Sequence, residues 1–396
     1  MDCPLTGLRV LDFTTLLPGP FATMMLADLG AEVLRVEAPG RPDLVRLQGP
    51  FDEGVSAAHG LLGRGKRSIA LDLKRPRGVE VARRLVRTHD IVVEQFRPGV
   101  MARLGLGYDD LAAVNPRVVY CSITGYGQTG PYRDRAGHDI NYLALSGIMS
   151  HSGRADAGPV PQGVQVADVG AGSYGAVVAI LAAVLQRERT GLGQALDVAM
   201  LDGAVFWGSF AATAYLAGGR DPRPEGEMLN GGIHYDYYRT KDGRWLSVGS
   251  LEPHFFRKLV ETLGHPEWEL PWSPTPEAVA ALKGDLRAAF AEKTLAEWTE
   301  VFGPADACVE PVLAVSEMAE HPQVRARGTI VDVPKDGGGT QRQVGCPLKF
   351  SGARTRAEHV GCALGAHTRE VLAELGYAAG EVEAMRGEGV FGDALG

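Results

Sequence analysis

His138 and Asp168 are the two side chains best suited to exchange a proton near neutral pH, and they stand thirty positions apart in one stretch, GHDINYLALSGIMSHSGRADAGPVPQGVQVADVGAG. The residues around each predict a helix start. A His and a carboxylate brought together at two helix N-termini form an acid–base pair, because the helix dipole and the unsatisfied N–H groups there favour developing negative charge. Each residue also has a plain structural use. Asp is a preferred N-cap, and the apolar helix after Val169 needs one. Glu252, in GSLEPHFF, fits the start of a helix at Pro253, and Asp139 and Asn141 fit the closing of a turn. Spacing alone does not separate these uses.

The elements that must position this pair read as an α/β fold. Leu8–Thr14 is a buried-strand pattern, Pro18-Gly19-Pro20 opens a helix that Gly30 closes, and Glu32–Glu37 is a second strand. This βαβ unit predicts a parallel sheet. Its turn lacks GxGxxG, which argues against a nicotinamide or flavin dinucleotide. Strands follow at Ser68–Leu73, Asp90–Glu94 and Arg117–Thr124, with helices near Gly78–Thr88 and Pro98–Leu104. Gly170–Arg189 is an apolar helix, Gln194–Met200 a last strand, and Met200–Ala217 a long helix apolar enough for burial at an oligomer interface or domain junction. Beyond a polar segment, Lys241-Asp242-Gly243 turns a hairpin. Helices are expected at Pro253–Leu263, Pro276–Glu292 and Leu295–Phe302, and the tail carries a Gly-rich loop, Asp336–Gly339, and a helix at His367–Leu375. The expected organisation is a Rossmann-like large domain with a parallel sheet (1–200, completed by 330–396), a linker helix (201–224) and a smaller α+β domain (225–325).

At 396 residues the chain exceeds one simple core. A net charge of −8 leaves no excess of cations for nucleic acid. Five scattered cysteines make neither a disulfide framework nor a metal site. The sequence shows no basic-plus-apolar leader and, as read, no apolar run of about 18 residues, so a cytoplasmic protein with no membrane and no metal is expected. One local contrast stands out. Nine Lys or Arg but only Asp72 and Glu80 lie between Arg64 and Arg87, which suits a polyanionic ligand. Arg83, Arg84 and Arg87 fit a solvated helix face, whereas Arg64, Lys66, Arg67 and Lys74 are candidates for ligand contact. Open α/β sheets bind ligands at the carboxyl ends of their strands, where Glu37, Gln95, Arg97 and Thr124 are expected.

The segments LRVLDFTTLLPGPFATMMLADLGAEVLRVEAPG, LDLK, FRPGV, GYGQTGP, GHDINYLALSG, ADVGAGS, GQALDVAM and DACVEPVL, in this order, resemble the family III CoA-transferase superfamily (CaiB/BaiF type). Within it the chain is most similar to the α-methylacyl-CoA racemases. The resemblance implies an interlocked homodimer, with each active site shared between the large domain of one subunit and the small domain of the other. It implies His138 and Asp168 as the two bases, with Glu252 assisting the His. It implies acyl-CoA contacts at Leu71, Asp72, Leu73, Lys74, Gln95, Arg97, Gly137, Asp139, Ile140, Asn141 and Tyr142, and no cofactor beyond the CoA of the substrate. A family Arg at the adenine end falls at Ala38, where Arg35 or Arg41 are the possible replacements. Ala171 stands where a Gly is usual, which would bring a methyl close to the acyl site. The implied reaction is racemisation at C2 of a 2-methylacyl-CoA through an enolate, with N–H groups at the start of the Asp168 helix holding the enolate oxygen. The alternative is CoA transfer to a free carboxylate, with Asp168 as nucleophile.

Overall fold

Short Val/Leu/Ile runs punctuated by Gly and Pro fold into a six-stranded sheet that is parallel throughout. The computed structural model describes residues 1–269, 275–392 and 394. The chain opens with β1 (Arg9–Asp12), α1 (Pro18–Asp28) and β2 (Glu32–Glu37). The expected loop before the next strand is ordered. It holds a 3-10 turn, a two-stranded ribbon of β3 (Phe51–Asp52) and β4 (Val55–Ser56), and α2 (Ala57–Leu62). Then come β5 (Lys66–Ala70), α3 (Pro76–Val86), β6 (Ile91–Glu94), α4 (Val100–Arg103), α5 (Tyr108–Ala112) and β7 (Val119–Thr124). After α6 (Asp139–Leu145) and a π-helical segment, Val166–Tyr174, the chain continues through α7 (Gly175–Thr190), β8 (Gln194–Ala199) and α8 (Met200–Trp207). The strand order is β5-β2-β1-β6-β7-β8, so the winding reverses between β1 and β6. Val10, Leu11, Ile91, Val92 and Val93 are wholly buried, as a sheet covered on both faces requires.

The chain divides into two compact units, one of residues 1–146, 162–207 and 323–396, the other of 147–161 and 208–322. The second unit contains α9 (Ser209–Leu216) and an antiparallel sheet ordered β11-β10-β9, built from β9 (Asp236–Arg239), β10 (Trp245–Val248) and β11 (Val309–Pro311). Around it lie α10 (Pro253–Leu263), α11 (Pro276–Phe290), α12 (Leu295–Phe302), α13 (Val315–Glu320) and the start of α14 (Pro322–Ala326). Its core gathers Tyr238, Leu246, Phe256, Phe290, Trp298 and Phe302. The segment 147–161 belongs here because Arg154 binds both Glu225 and Asp236 at 2.8 Å. The long helix expected over Met200–Ala217 is two helices, broken at Gly208. In the tail, Asp336–Gly339 is the turn of a hairpin, β12 (Ile330–Pro334) with β13 (Thr340–Val344), followed by α15 (Thr368–Glu374) and α16 (Ala379–Gly387).

The continuous helical segment Val166–Thr190 is long and apolar enough to cross a membrane by length and composition, contrary to the expectation that no run reaches that length. Its first part lies against α1 and α8 and its second against β7, β8 and α1. Ala176, Val177, Ile180 and Ala183 are buried there.

The basic cluster is largely structural, which corrects the ligand reading of several residues. Arg64 is buried and grips Asp28 with two bonds of 2.9 and 2.6 Å, while reaching Gln343 and the Val344 carbonyl in β13. Lys66 spends its three protons on Asp12, the Pro20 carbonyl and the Thr23 hydroxyl. Arg67 pairs with Glu370 and Glu374 of α15. Arg35 is buried between Asp43 and Glu37, so it cannot replace an adenine-end contact, whereas Arg41 is exposed. Asp12 also accepts from the Thr14 N–H and from the Thr14 and Thr23 hydroxyls, which fixes the turn from β1 into α1. Burial pushes its carboxyl up, but Lys66 and Arg35 overcome this and hold it below the ordinary value. Removing one partner of such a buried pair leaves an uncompensated charge. Lys66→Met is therefore expected to lower the unfolding free energy by about 3–5 kcal/mol in a urea titration. A loss within the few tenths usual for a surface change would contradict this role.

Candidate active site

Asp168 does not cap its helix, as its residue type suggested. It lies inside the π-helical segment, two residues after the start. The small residues that follow let this segment approach its neighbours closely. A Cβ at Gly172 would come within 3.0 Å of Met200 Cγ and 3.3 Å of Pro18 Cβ. Ser173 donates to the Pro18 carbonyl at 2.7 Å, which ties the segment to the start of α1. Ala171 is buried, and a Cβ at Gly203 of α8 would meet its methyl at 2.5 Å. The extra methyl is therefore directed into α8, where a missing side chain receives it.

His138 is exposed and occupies the N-cap position of α6. The Asn141 side chain accepts its backbone N–H at 3.0 Å. The buried Tyr142 phenol donates to the Gly137 carbonyl at 2.6 Å and meets the Tyr126 ring edge to face. A Cβ at Gly125 or Gly137 would lie 2.6 or 2.7 Å from the Tyr142 ring, so both glycines are needed where the chain turns into α6. The next residue joins the two halves of the site. Asp139 Oδ1 accepts the backbone N–H groups of Ala167, at 2.7 Å, and Asp168, at 3.0 Å.

The electrostatics follow from this arrangement. Burial, reinforced by the Asp139 charge, pushes the Asp168 carboxyl up to about 6, and His138 offsets only part of the rise. The donors expected to hold an enolate oxygen are engaged, since Ala167 and Asp168 donate to Asp139 and Val169 donates to the Gln165 carbonyl. In α6, by contrast, the N–H groups of Asp139 and Ile140 have no acceptor among the described residues. They lie directly beside His138.

The chain has relatives among known proteins. The family model described as CoA-transferase family III matches residues 5–368. The chain belongs to CoA-transferase family III. It is 38% identical to the α-methylacyl-CoA racemase of Homo sapiens, over 96% of this chain and 95% of that one. It is 39% identical to the succinate–glutarate CoA-transferase of Agrobacterium fabrum, over 94% and 96%. A CAIB/BAIF family protein from Brucella suis superposes with a TM-score of 0.83 at 33% identity, covering 95% of this chain and 100% of that one.

The family residues expected to meet CoA are placed unequally. Arg97 and Lys74 are exposed, and neither side chain has an ion pair or hydrogen bond among the described residues. Gln95, at the end of β6, spans the crevice where the strand order reverses, accepting from Gly19 N–H at 2.9 Å and donating to the Thr15 carbonyl at 2.7 Å. Leu71 is in the core and Leu73 packs against it, so only their backbones are available. Asp72 accepts the Lys74 N–H and faces Arg75. Asn141 Oδ1 and the Tyr142 phenol are spent on the turn, as described. Glu252 is exposed at the N-cap of α10 in the second unit. Trp207, which sequence reasoning did not single out, lies against Gly170 and is 59% exposed. Its only signal in the sequence was its place at the end of an apolar helix.

The contact between Ala171 and Gly203 yields a direct test. Gly203→Ala is expected to destabilise the fold by roughly 1–3 kcal/mol through overpacking, and adding Ala171→Gly should restore most of the loss. A double variant no more stable than Gly203→Ala would show that the two positions are not in register.

Proposed function

We propose that this chain interconverts the two configurations at C2 of a 2-methylacyl-CoA thioester. One base removes the α-proton, the electron pair of the broken C–H bond moves into the thioester as an enolate, and the conjugate acid of the other base protonates the opposite face. In one direction Asp168 accepts the proton as a carboxylate and His138 donates as an imidazolium; the reverse direction exchanges their roles. The observation that carries this reading is the joining of His138 and Asp168, from two separate elements, through Asp139. A carboxyl raised to about 6 is a better match to a weakly acidic C–H than an ordinary one. The unbonded N–H groups of Asp139 and Ile140 are the donors for the enolate oxygen. Lys74 and Arg97, exposed and without an ion pair among the described residues, suit the phosphates of CoA. Glu252 is assigned the orienting of the His138 ring, supplied from the partner chain of a homodimer. Exposed Phe206 and Trp207 on α8 of the first unit favour such a partner, as do exposed Phe210 and Leu216 on α9 of the second, because large apolar groups are seldom left in water without a use.

CoA transfer is the second reading, and the similarity to the succinate–glutarate CoA-transferase favours it. There the Asp168 carboxylate attacks the thioester carbonyl and expels the CoA thiolate, leaving a mixed anhydride. The thiolate then attacks the aspartyl carbonyl, releasing the acid and forming an enzyme thioester. That route needs no second base, so His138 separates the readings.

A single enantiomer of a 2-methylacyl-CoA, followed by chiral chromatography, is expected to reach a mixture of both. His138→Ala and Asp168→Ala should each slow interconversion by about 100-fold or more. In the direction where Asp168 removes the proton, kcat/KM should rise as the pH passes upward through about 6, because only the carboxylate form is a base. Interconversion that survives His138→Ala would overturn the proposal, as would a hydroxylamine-sensitive enzyme thioester formed when a free carboxylate is added.

A further inference from the structure

We propose that Asp139 is a positioning residue, whose carboxylate holds the start of the Asp168 helix against the His138 helix and supplies the negative charge that Asp168 faces. The inference rests on the racemase reading for its consequence in catalysis, but its physical content can be measured separately.

The geometry is specific. One oxygen of Asp139 accepts two successive backbone N–H groups, 2.7 Å from Ala167 and 3.0 Å from Asp168. Asp139 is bonded in sequence to His138, and Asp168 carries one of the two donated N–H groups. A single short side chain therefore spans the gap between the backbones of both proposed bases. Asp has only two side-chain torsions, so the link costs little conformational entropy and permits little play. Besides this link, α6 and the π-helical segment pack against each other and share α8 as a neighbour.

The same bonds explain why Asp168 is hard to ionise. A carboxylate in the first turn of a helix is ordinarily stabilised by the N–H groups exposed there. Here Asp139 takes those N–H groups and contributes a negative charge of its own. Asp168 is left with burial and a like charge, against which His138 is the opposing influence. The other titratable groups on the segment and its neighbours include Tyr174, Tyr142 on α6, Asp202 on α8, Asp197 on β8, and Arg187, Glu188 and Arg189 at the far end of α7. Tyr142 is itself pushed up by burial and by Asp168, so it stays neutral. Asp197 accepts the Gln128 N–H. In α1 the sole titratable side chain is Asp28, which is bound to Arg64. Asp139 is thus the carboxylate that matters most to Asp168.

Two substitutions separate the tether from the charge. Asp139→Asn retains an oxygen that can accept both N–H groups but removes the charge, and Asp139→Ala removes both. Carbon-13 NMR of the Asp carboxyl carbons, with the Asp168 signal assigned by its loss in Asp168→Asn, reads the charge directly in the full-length chain. The Asp168 midpoint is expected near 6 in the parent and displaced toward the ordinary 3.8 in Asp139→Asn. The acid limb of the pH–rate profile should move the same way. At a pH well above both midpoints, Asp139→Ala should be roughly 10- to 100-fold below Asp139→Asn in kcat, with little difference between the two in KM. An Asp168 midpoint unmoved in Asp139→Asn would overturn the proposal, as would an Asp139→Ala enzyme as fast as Asp139→Asn. Should Asp139→Ala not fold, the Asp139→Asn titration decides alone. If the parent fails to interconvert enantiomers, the racemase reading falls, and the titration still decides for or against Asp139.

Discussion

The segment carrying Asp168 can sit where it does only because it approaches α1 and α8 more closely than ordinary side chains allow. At Gly172 a Cβ would be tight against Pro18 and Met200, and the single methyl of Ala171 fits because Gly203 opposite has none. Overpacking by one methylene in such a contact costs about 1–3 kcal/mol, so steric room alone nearly fixes the position of this helix. Ser173 adds a directional bond to Pro18, and the turn that presents Pro18 is held from below by Asp12, Thr14, Thr23 and Lys66. A line of constraint therefore runs from a buried ion pair in the sheet to the backbone of the candidate acid–base residue.

Charge is used in two opposite ways along that line. Asp12 is wholly buried yet held ionised, because Lys66 and Arg35 and two hydroxyls outweigh the penalty of burial. Asp168 is less deeply buried yet harder to ionise, because its burial is not offset: the Asp139 carboxylate adds to the rise, and the N–H donors nearest to it are spent elsewhere. The first arrangement suits a structural role and the second a group that must gain and lose a proton. The contrast comes from partners, since both residues are aspartates withdrawn from water.

Much of the large unit was legible in the sequence. Apolar runs punctuated by Pro18 and Gly30 place β1, α1 and β2 to within about two residues, because those breakers act locally. The basic cluster was misread because the partners are distant: Asp28 precedes Arg64 by 36 positions and Asp12 precedes Lys66 by 54. No local charge pattern could show that they meet. The same reason hid the place of 147–161, which Arg154 attaches to Glu225 and Asp236, and the strand character of 330–344, whose turn looked like an isolated Gly-rich loop. His138 and Asp168 were visible as residue types at helix starts. That Asp168 lies within a π-helical turn, and that Asp139 rather than Asp168 takes the helix N–H groups, depends on a contact between elements and could not be read from spacing.

The central claim is that two different bases serve two faces of one carbon, and it is tested most directly by following α-proton washout separately from each pure enantiomer in deuterated water. With His138→Ala and Asp168→Ala in hand, each variant should still exchange the enantiomer whose proton faces its remaining base, while failing to convert it into the other. The enantiomer that survives should differ between the two variants. Loss of exchange from the same enantiomer in both variants, or exchange from both enantiomers in either one, would contradict the account.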